Sequence, residues 1–290
     1  MNYIAVPLAV GMMAALGSIL AIVLAIASRR FFVYEDPRIT QVEELLPGSN
    51  CGACGQPGCH AFAELAVAGQ VAPGNCTVSS EEAREAIADV LGVDVGGDEK
   101  IVARLACAGG TNVARQRAAY AGMSTCRGAN LVAGGGKGCA WGCLGLGDCE
   151  VVCDFDAITM NPFGIPEVDE ALCTACGDCV DICPKHLFTL EPVSHRLWVA
   201  CRNEAFGDEA EDECAVACTA CGKCVADAPE NVIEIRNNLA VVNYAERHGA
   251  ARDSIERCPT GAIVWLTPGR QSLKGRQARR IVRQSALPVG

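Results

Sequence analysis

The stretch that decides the fold runs from Cys139 to Pro184 and contains two groups of cysteines. The first group reads CAWGCLGLGDCEVVC over residues 139–153, and the second reads CTACGDCVDICP over residues 173–184. In the second group two residues separate each of the first three cysteines, so a short loop can curl around one bound group. Gly177 suits such a curl because it can take positive φ and bring the backbone close to that group. Pro184 stops a helix from continuing.

The run CxxCxxCxxxCP is the spacing of bacterial ferredoxins, in which three thiolates bind one iron–sulfur cubane and the fourth binds its neighbour. This crossed pattern predicts two four-iron four-sulfur clusters. The predicted ligands of the first cluster are Cys139, Cys143, Cys149 and Cys183. The predicted ligands of the second are Cys153, Cys173, Cys176 and Cys179. Two structural zinc sites are the alternative, but such sites favour two separated CxxC pairs.

The composition agrees with a metal-rich chain. Its 290 residues allow two or three small domains, and its 20 cysteines stand in tight groups typical of metal binding in a reducing compartment. Only 5% of residues are aromatic and 31 are glycine, so the clusters are expected to supply much of the cohesion. The net charge is −10, and residues 268–290 carry six basic residues and no acid, which leaves −16 on the rest of the chain. No nucleic-acid partner is predicted.

The amino end predicts a transmembrane anchor over residues 1–30. Residues 4–27 form an uncharged run of 24 residues, which is long enough to cross a bilayer as a helix. Arg29 and Arg30 follow this run, whereas a signal peptide has its positive charges before the apolar segment; a cleaved signal is the alternative. The positive-inside rule then puts the body of the chain in the cytoplasm.

Residues 31–92 are predicted to form a small helical domain with one four-iron four-sulfur cluster. After a linker over residues 31–50 comes CGACGQPGC, and a fourth cysteine follows later. The predicted ligands are Cys51, Cys54, Cys59 and Cys76. A zinc knuckle is the alternative. Helices are predicted at residues 60–68 and, after a capping box formed by Ser79 and Glu82, up to Leu91.

The remaining chain is predicted to hold two tandem ferredoxin-like modules. The connecting region is 93–136, with a helix near residues 112–121, and the first module is 137–192. An acidic linker at 193–214, expected to be a solvated loop, leads to the second module at 215–267. Short apolar strands are predicted at 157–160, 187–190, 232–235 and 263–266, and hairpins form where returning strands follow at 165–168 and 239–244. The basic tail, 268–290, is expected to be a disordered end or to bind anionic lipid.

The second module is predicted to hold one cluster. Its ligands are Cys218, Cys221, Cys224 and Cys258, and Ala228 stands where a further cysteine would be needed for a second cluster. Four cysteines then remain, namely Cys107, Cys126, Cys201 and Cys214. Their wide separation favours buried structural thiols. A fifth cluster held by these four is the alternative.

Taken in order, these motifs resemble the B component of the Rnf complex, the ion-translocating ferredoxin:NAD oxidoreductase of bacterial membranes. The most specific part lies between Leu131 and Cys149. The resemblance implies an α+β chain with one transmembrane helix in the bacterial inner membrane and cluster domains on the cytoplasmic side. It implies an electron-transfer subunit that takes electrons from reduced ferredoxin and passes them to membrane and flavin-bearing partners. A subunit of a related complex that reduces a redox-sensing transcription factor, and a zinc-stapled scaffold, are the alternatives.

Overall fold

The computed structural model describes residues 5–31, 36–97, 99–245, 251–267, 269 and 271–290. Arg270 of the basic tail and residues 246–250 of the predicted second module lie outside this range. The described part is a mixed helix and strand chain, as predicted. Its helices are α1 (Ala5–Arg30), α2 (Pro37–Leu45), α3 (Cys59–Val67), α4 (Glu81–Leu91), α5 (Cys126–Leu131), α6 (Asp148–Val151), α7 (Asp178–Ile182), α8 (Gly207–Glu213) and α9 (Lys223–Asp227). Its strands are β1 (Ile101–Leu105), β2 (Ile158–Met160), β3 (Pro166–Val168), β4 (Phe188–Pro192), β5 (Leu197–Val199), β6 (Ile233–Arg236), β7 (Leu239–Val242), β8 (Ile263–Thr267) and β9 (Gln271–Leu273).

Helix α1 is a candidate membrane span. An 18-residue window within Val10–Arg30 has a mean hydropathy of 2.5, and none of that window is buried inside the protein. An apolar helix of this length without protein cover matches the thickness of a bilayer. A signal sequence near the amino end would pass the same test of length and composition.

Helices α2, α3 and α4 pack around Val42, Phe62 and Ile87. Part of the predicted linker is therefore helical, because Asp36 caps α2 by accepting the Arg38 N–H and Pro37 occupies the first turn. Ser80, rather than the predicted Ser79, caps α4 by accepting the Ala83 N–H. The Ser79 side chain is buried and donates to the Cys76 sulfur instead, over 3.1 Å.

The described strands include two units in which the elements follow the same order: a first strand, a hairpin and a last strand that pairs with the first. In the first unit β1 pairs with β4 in antiparallel fashion, and β2 and β3 form a hairpin between them. In the second unit β5 pairs with β8, and β6 and β7 form the hairpin. All four predicted strands and both predicted hairpins are present. The partners β1 and β5 were not predicted, because each is a short apolar segment with no cysteine loop beside it.

One predicted local structure is wrong, and another is only partly right. Residues 111–121 form turns and isolated bridges rather than a helix, because their N–H groups bond to distant carbonyls such as Phe163 O and Glu213 O. The acidic run is exposed at Glu204, Asp208, Glu209 and Asp212, as expected, but it is not all loop. It contains α8, whose Glu211 and Glu213 pair with Arg279 and Arg117.

The tail is attached to the body along the residues that the structure describes. Arg279 N–H donates to Pro259 O, Leu287 N–H donates to Thr111 O, and Gly290 N–H donates to Gln116 O. We call residues 274–290 the strap. The strap runs from the second unit back to the loop after β1, which differs from the disordered end expected from composition alone.

The strap passes closest to the body at Gly275. A Cβ added at this buried position would lie 1.9 Å from Ile255 O and 2.5 Å from the Glu256 Cα. We expect Gly275→Ala to lower the denaturation midpoint of the anaerobically purified chain. The free energy of unfolding should fall by about 1–3 kcal/mol, because the added methyl group would clash with backbone atoms that cannot move without disturbing their neighbours. Gly290→Ala is the matched control, since nothing lies within 4 Å of its Cβ position. Equal midpoints for the two variants would contradict this packing.

Candidate functional site

The 20 cysteines are all free of disulfides and fall into five groups of four. Set A contains Cys51, Cys54, Cys59 and Cys76. Set B contains Cys153, Cys173, Cys176 and Cys179. Set C contains Cys126, Cys143, Cys149 and Cys183. Set D contains Cys107, Cys139, Cys201 and Cys214. Set E contains Cys218, Cys221, Cys224 and Cys258.

Sets B to E each line a cavity of similar size. Each of the four cavities has a volume of about 20 Å³. Apart from cysteine, the walls are formed mainly by alanine, glycine and aliphatic side chains. Four similar cavities with four thiols each indicate one kind of occupant.

Set A lies where the short helices of the amino-terminal domain meet. Cys54, Cys59 and Cys76 pack against the core around Phe62, and the neighbours whose charge acts on Cys54 are Cys76 and Cys51. Asn50 fixes the loop, because its side-chain oxygen accepts the Cys59 N–H over 2.8 Å. The structure thus brings together the four cysteines predicted here. His60 lies outside the set and pairs with Glu43.

Set B is the group predicted from the CxxCxxC run and the earlier Cys153. Gly177 has φ of +95° at the start of α7, where the loop turns around the cavity. The buried Cys173 sulfur accepts the Ala103 N–H over 3.4 Å, so the first strand of the unit also contacts this set.

Set C differs from the prediction in one member. Cys126 occupies the place predicted for Cys139, which lines the cavity of set D instead. The reason is a turn in which Gly142 N–H donates to Cys139 O, so that Cys139 and Cys143 face different cavities. Cys126 reaches set C because it begins α5, which is capped by Thr125.

Set D combines Cys139 with Cys107, Cys201 and Cys214, three of the four cysteines that the sequence analysis assigned to no cluster. The Cys107 sulfur accepts the N–H groups of Gly109 and Cys143, each over 3.4 Å. The Cys201 sulfur accepts those of Asn203 and Cys218, over 3.4 and 3.3 Å. N–H groups that bond to a sulfur stabilise negative charge on it, as they do at the ligands of iron–sulfur clusters. The structure therefore favours a ligand role over buried structural thiols.

A signal for set D was present in the sequence. The segments LACAG at 105–109 and VACRN at 199–203 each follow the first strand of their unit with alanine and then cysteine. Cys107 and Cys201 thus occupy equivalent positions in the two units. Without knowledge of β1 and β5 the equivalence is not visible, because the two segments are 94 residues apart, from Cys107 to Cys201.

Set E matches the prediction for the second module. Cys218, Cys224 and Cys258 are buried, whereas Cys221 is exposed. Where the missing second cluster of this module would lie, Ala228 packs against the core that contains Ala251 and Ile255. Alanine offers no thiol at this position, and its neighbours are apolar.

Without a bound group, burial keeps many of the thiols protonated. Burial, together with neighbouring cysteines, raises the pKa of Cys143, Cys149, Cys179 and Cys224 to about 12. The pKa of Cys201 is likewise raised to about 12 and that of Cys214 to about 11, mainly by burial. A bound cationic metal group supplies the positive charge that makes such thiolates favourable.

The spacing of the thiols separates a cluster from a single ion. Zinc holds thiolates at about 2.3 Å, so four of them would lie within about 4 Å of one another. Among the residues that the structure describes, no three His, Cys, Asp or Glu side chains lie close enough to hold one metal ion. Thiols that line a cavity without converging on one point suit a larger group such as a four-iron four-sulfur cluster. The geometry argues against the zinc scaffold.

Lys137 is a half-buried cation between sets C and D. Its ammonium donates to Gly109 O over 2.5 Å and to Cys143 O over 2.6 Å, which ties the loop after Cys107 to the loop of Cys143. Its charge partly offsets the effect of burial on the pKa of Cys139, Cys143 and Cys214. Lys137 therefore contributes both a structural link and a local positive charge.

The five sets form one uninterrupted series. Sets A and B meet where Thr77, after Cys76, donates to Thr174 O, after Cys173, over 2.9 Å. Two helices join sets B and C. Helix α6 contains Cys149 of set C and is followed by Cys153 of set B, and helix α7 contains Cys179 of set B and is followed by Cys183 of set C. The Cys143 N–H donates from set C to Cys107 of set D, and the Cys218 N–H donates from set E to Cys201 of set D. The order is A, B, C, D, E.

Two parts of the chain that contain thiol sets match known iron–sulfur families. Residues 46–78, which include set A, match the family described as "Putative Fe-S cluster". Residues 165–188, which include Cys173, Cys176, Cys179 and Cys183, match the family described as "4Fe-4S binding domain". The chain thus carries iron–sulfur binding domains at both positions.

Relatives cover nearly the whole chain. Over 263 residues it is 43% identical to the B component of the Na⁺-translocating ferredoxin:NAD⁺ oxidoreductase complex of Acetobacterium woodii, a match that spans 91% of this chain and 78% of that relative. The chain belongs to the family of Rnf complex B components. The proton-translocating counterpart of Clostridium ljungdahlii is 36% identical over 89% of this chain and 91% of its own length. The B component of the ion-translocating oxidoreductase complex of Methanosarcina acetivorans is 37% identical over 88% and 96%. Because the names of the first two specify different ions, the coupling ion varies within the Rnf family.

Replacing Lys137 tests its role as a link between two thiol sets. We expect Lys137→Met to lower the denaturation midpoint by an amount corresponding to about 1–3 kcal/mol, because two partly buried carbonyls lose their donor. Lys185→Met is the matched control, since Lys185 donates to one exposed carbonyl, Ala140 O, over 2.8 Å. The measurement is denaturant unfolding without oxygen, followed by visible absorption. A larger loss for Lys185→Met would contradict the role of Lys137.

Proposed function

We propose that this chain is the electron-transfer subunit of a membrane-bound, ion-translocating ferredoxin:NAD oxidoreductase. It relays electrons from reduced ferredoxin toward flavin-bearing partners and NAD. The observation that carries this proposal is the uninterrupted series of five thiol sets, together with membership of the family of Rnf complex B components. The names of the relatives supply the donor, the acceptor and the translocated ion.

Five four-iron four-sulfur clusters are proposed, one for each thiol set. The ligands are the four cysteines of sets A, B, C, D and E as given above. When bound, such clusters supply one-electron chemistry over a wide range of potentials. The fifth cluster, in set D, is supported by the paired N–H groups that bond to Cys107 and Cys201. It is also supported by Gly109, where a Cβ would lie 3.2 Å from the Cys214 sulfur and 3.6 Å from that of Cys107.

Set D gives the second unit its place in the proposed relay. The sequence alone left the path through that unit in doubt, because one of its two expected clusters has no ligands. In the structure set D draws Cys107 and Cys139 from the first unit and Cys201 and Cys214 from the segment that leads into the second. The proposed series therefore continues to set E without a gap.

The protein residues in this proposal hold and tune the bound groups rather than perform acid–base chemistry. Backbone N–H groups that bond to the ligand sulfurs stabilise negative charge there, as the Ala103 N–H does at Cys173. Lys137 adds a positive charge beside sets C and D. Apolar walls keep water from the buried thiols. The nicotinamide and flavin chemistry is assigned to partner subunits.

A membrane location is proposed for the amino end. The apolar helix α1 is followed by exposed Arg29 and Arg30, which favour a cytoplasmic position for the rest of the chain. In this arrangement α1 is a single-pass anchor in the bacterial inner membrane, and all five thiol sets lie on the cytoplasmic side. Set A is then the set nearest the anchor along the chain.

The iron content tests the number of clusters. We expect the full chain, purified in detergent without oxygen, to hold about 20 irons and as many acid-labile sulfides, because five cubanes contain four of each. Cys201→Ala should lower the count by about four irons and remove one signal from the EPR spectrum of the reduced protein. Ser254→Ala is the control, because it removes one unpartnered, fully buried side-chain oxygen in the same unit.

About 16 irons in the unchanged chain, with no further loss in Cys201→Ala, would refute the cluster in set D and return Cys201 to a packing role. Zinc in place of iron would refute the electron-transfer function itself.

The function of the whole complex is tested by co-purification. We expect the tagged chain to bring down flavin-bearing membrane subunits, and the preparation to reduce NAD with reduced ferredoxin as donor. Membranes that lack this chain should lose at least about 90% of the activity, because no other route for electrons through the series remains. Unchanged activity in such membranes would contradict the proposed function.

A further inference from the structure

The charge of the chain is distributed unevenly around the thiol sets. Residues 101–147 contain five basic residues and no acid, in a chain whose net charge is −10. The helices around set A carry seven acidic and two basic residues. Near set E, α9 and β6 carry two of each. This segment and the strap are thus the two basic exceptions, and residues 101–147 contain Cys126 of set C.

Exposed apolar side chains lie on the same segment. Met123 is 71% exposed, Leu131 is 86% exposed and Val132 is 59% exposed. Cys126 begins α5 and Leu131 ends it, so these side chains lie within a few residues of a thiol of set C. Clustered apolar residues of this exposure commonly mark an interaction surface.

Two basic side chains border the apolar residues. Arg127 is exposed and has no ion-pair partner in the described part of the chain. Lys185 approaches the same loop, with its ammonium 4.0 Å from the Cβ position of Gly134. The half-buried Asp148 accepts the backbone N–H of Arg127, over 3.3 Å, rather than its guanidinium. We call the surface formed by Met123, Arg127, Leu131, Val132 and Lys185 the α5 patch.

We propose that the α5 patch is the docking surface for a small acidic electron-carrier protein that exchanges electrons with the group held by set C. The proposal rests on the proposed function, which supplies ferredoxin as the carrier. A few exposed apolar residues with a basic border fit an acidic partner in a small, short-lived interface, as is typical of redox encounters. Near set A an acidic carrier would be repelled.

Rates of electron exchange test the patch. The full chain in detergent is mixed in a stopped-flow instrument with a dithionite-reduced, two-cluster acidic bacterial ferredoxin, and bleaching is followed at several salt concentrations. We expect the second-order rate constant of the unchanged chain to fall steeply with salt. The double variant Arg127→Glu/Lys185→Glu should be slower by at least about tenfold at low salt and should approach the unchanged chain at high salt.

Two further variants separate an effect on docking from a loss of the group held by set C. Leu131→Ser should lower the rate constant by about fivefold at every salt concentration, because it removes apolar contact without changing charge. Arg280→Glu is the matched charge reversal, on an exposed arginine of the strap that has no ion-pair partner in the described part of the chain. It should stay within about twofold of the unchanged chain. Iron content and EPR of each variant must equal those of the unchanged chain.

The outcomes separate the patch from the proposed function. If ferredoxin does not reduce the unchanged chain at all, the proposed function fails. If ferredoxin reduces the unchanged chain and the patch variants at the same rate, only the docking surface is refuted. If the variants keep their rates but lose binding to vesicles of anionic phospholipid, the patch is a membrane contact and the docking proposal is overturned.

Discussion

The structure depends on one constraint: four thiols must converge on each cavity, and they must do so in a chain with few large apolar side chains. Burial raises the pKa of Cys143, Cys149 and Cys224 to about 12, so in the chain alone these groups are neutral and contribute as small apolar side chains. Cysteines belong to three of the apolar cores, including those around Phe62 and Ile263. Loss of the bound groups would therefore remove the centre of each core rather than a peripheral ligand.

The same constraint explains the architecture of the repeated units. A two-stranded ladder such as β1 with β4 is only marginally stable by itself. Each ladder gains support because its first strand leads directly to a thiol of set D, at Cys107 or Cys201. Set D thus joins the two units through their equivalent strands. The strap strengthens the same junction, because it follows the second unit and its Gly290 N–H donates to Gln116 O.

Local spacing predicted the groups whose ligands come from one compact loop, and it failed where ligands come from distant segments. In the CxxCxxC runs that begin at Cys173 and Cys218, the three cysteines line the same cavity, because a spacer of two residues leaves the loop few conformations. The grouping of Cys139 could not be read in this way, because a turn at Gly142 decides which cavity it faces. Cys107 and Cys201 needed the pairing of β1 with β4 and of β5 with β8, which is a tertiary property. The helix expected at residues 112–121 is absent because long-range hydrogen bonds take over its N–H groups.

The linear order of the thiol sets also bears on biosynthesis. The last cysteine of each set, read along the chain, is Cys76 for A, Cys179 for B, Cys183 for C, Cys214 for D and Cys258 for E. A ribosome that translates this chain therefore releases complete sets in the same order in which they lie in space. Cofactor insertion can begin at the membrane end while the second unit is still being translated. The strap follows all five sets along the chain, so its bond to Thr111 can form only after every thiol has been translated.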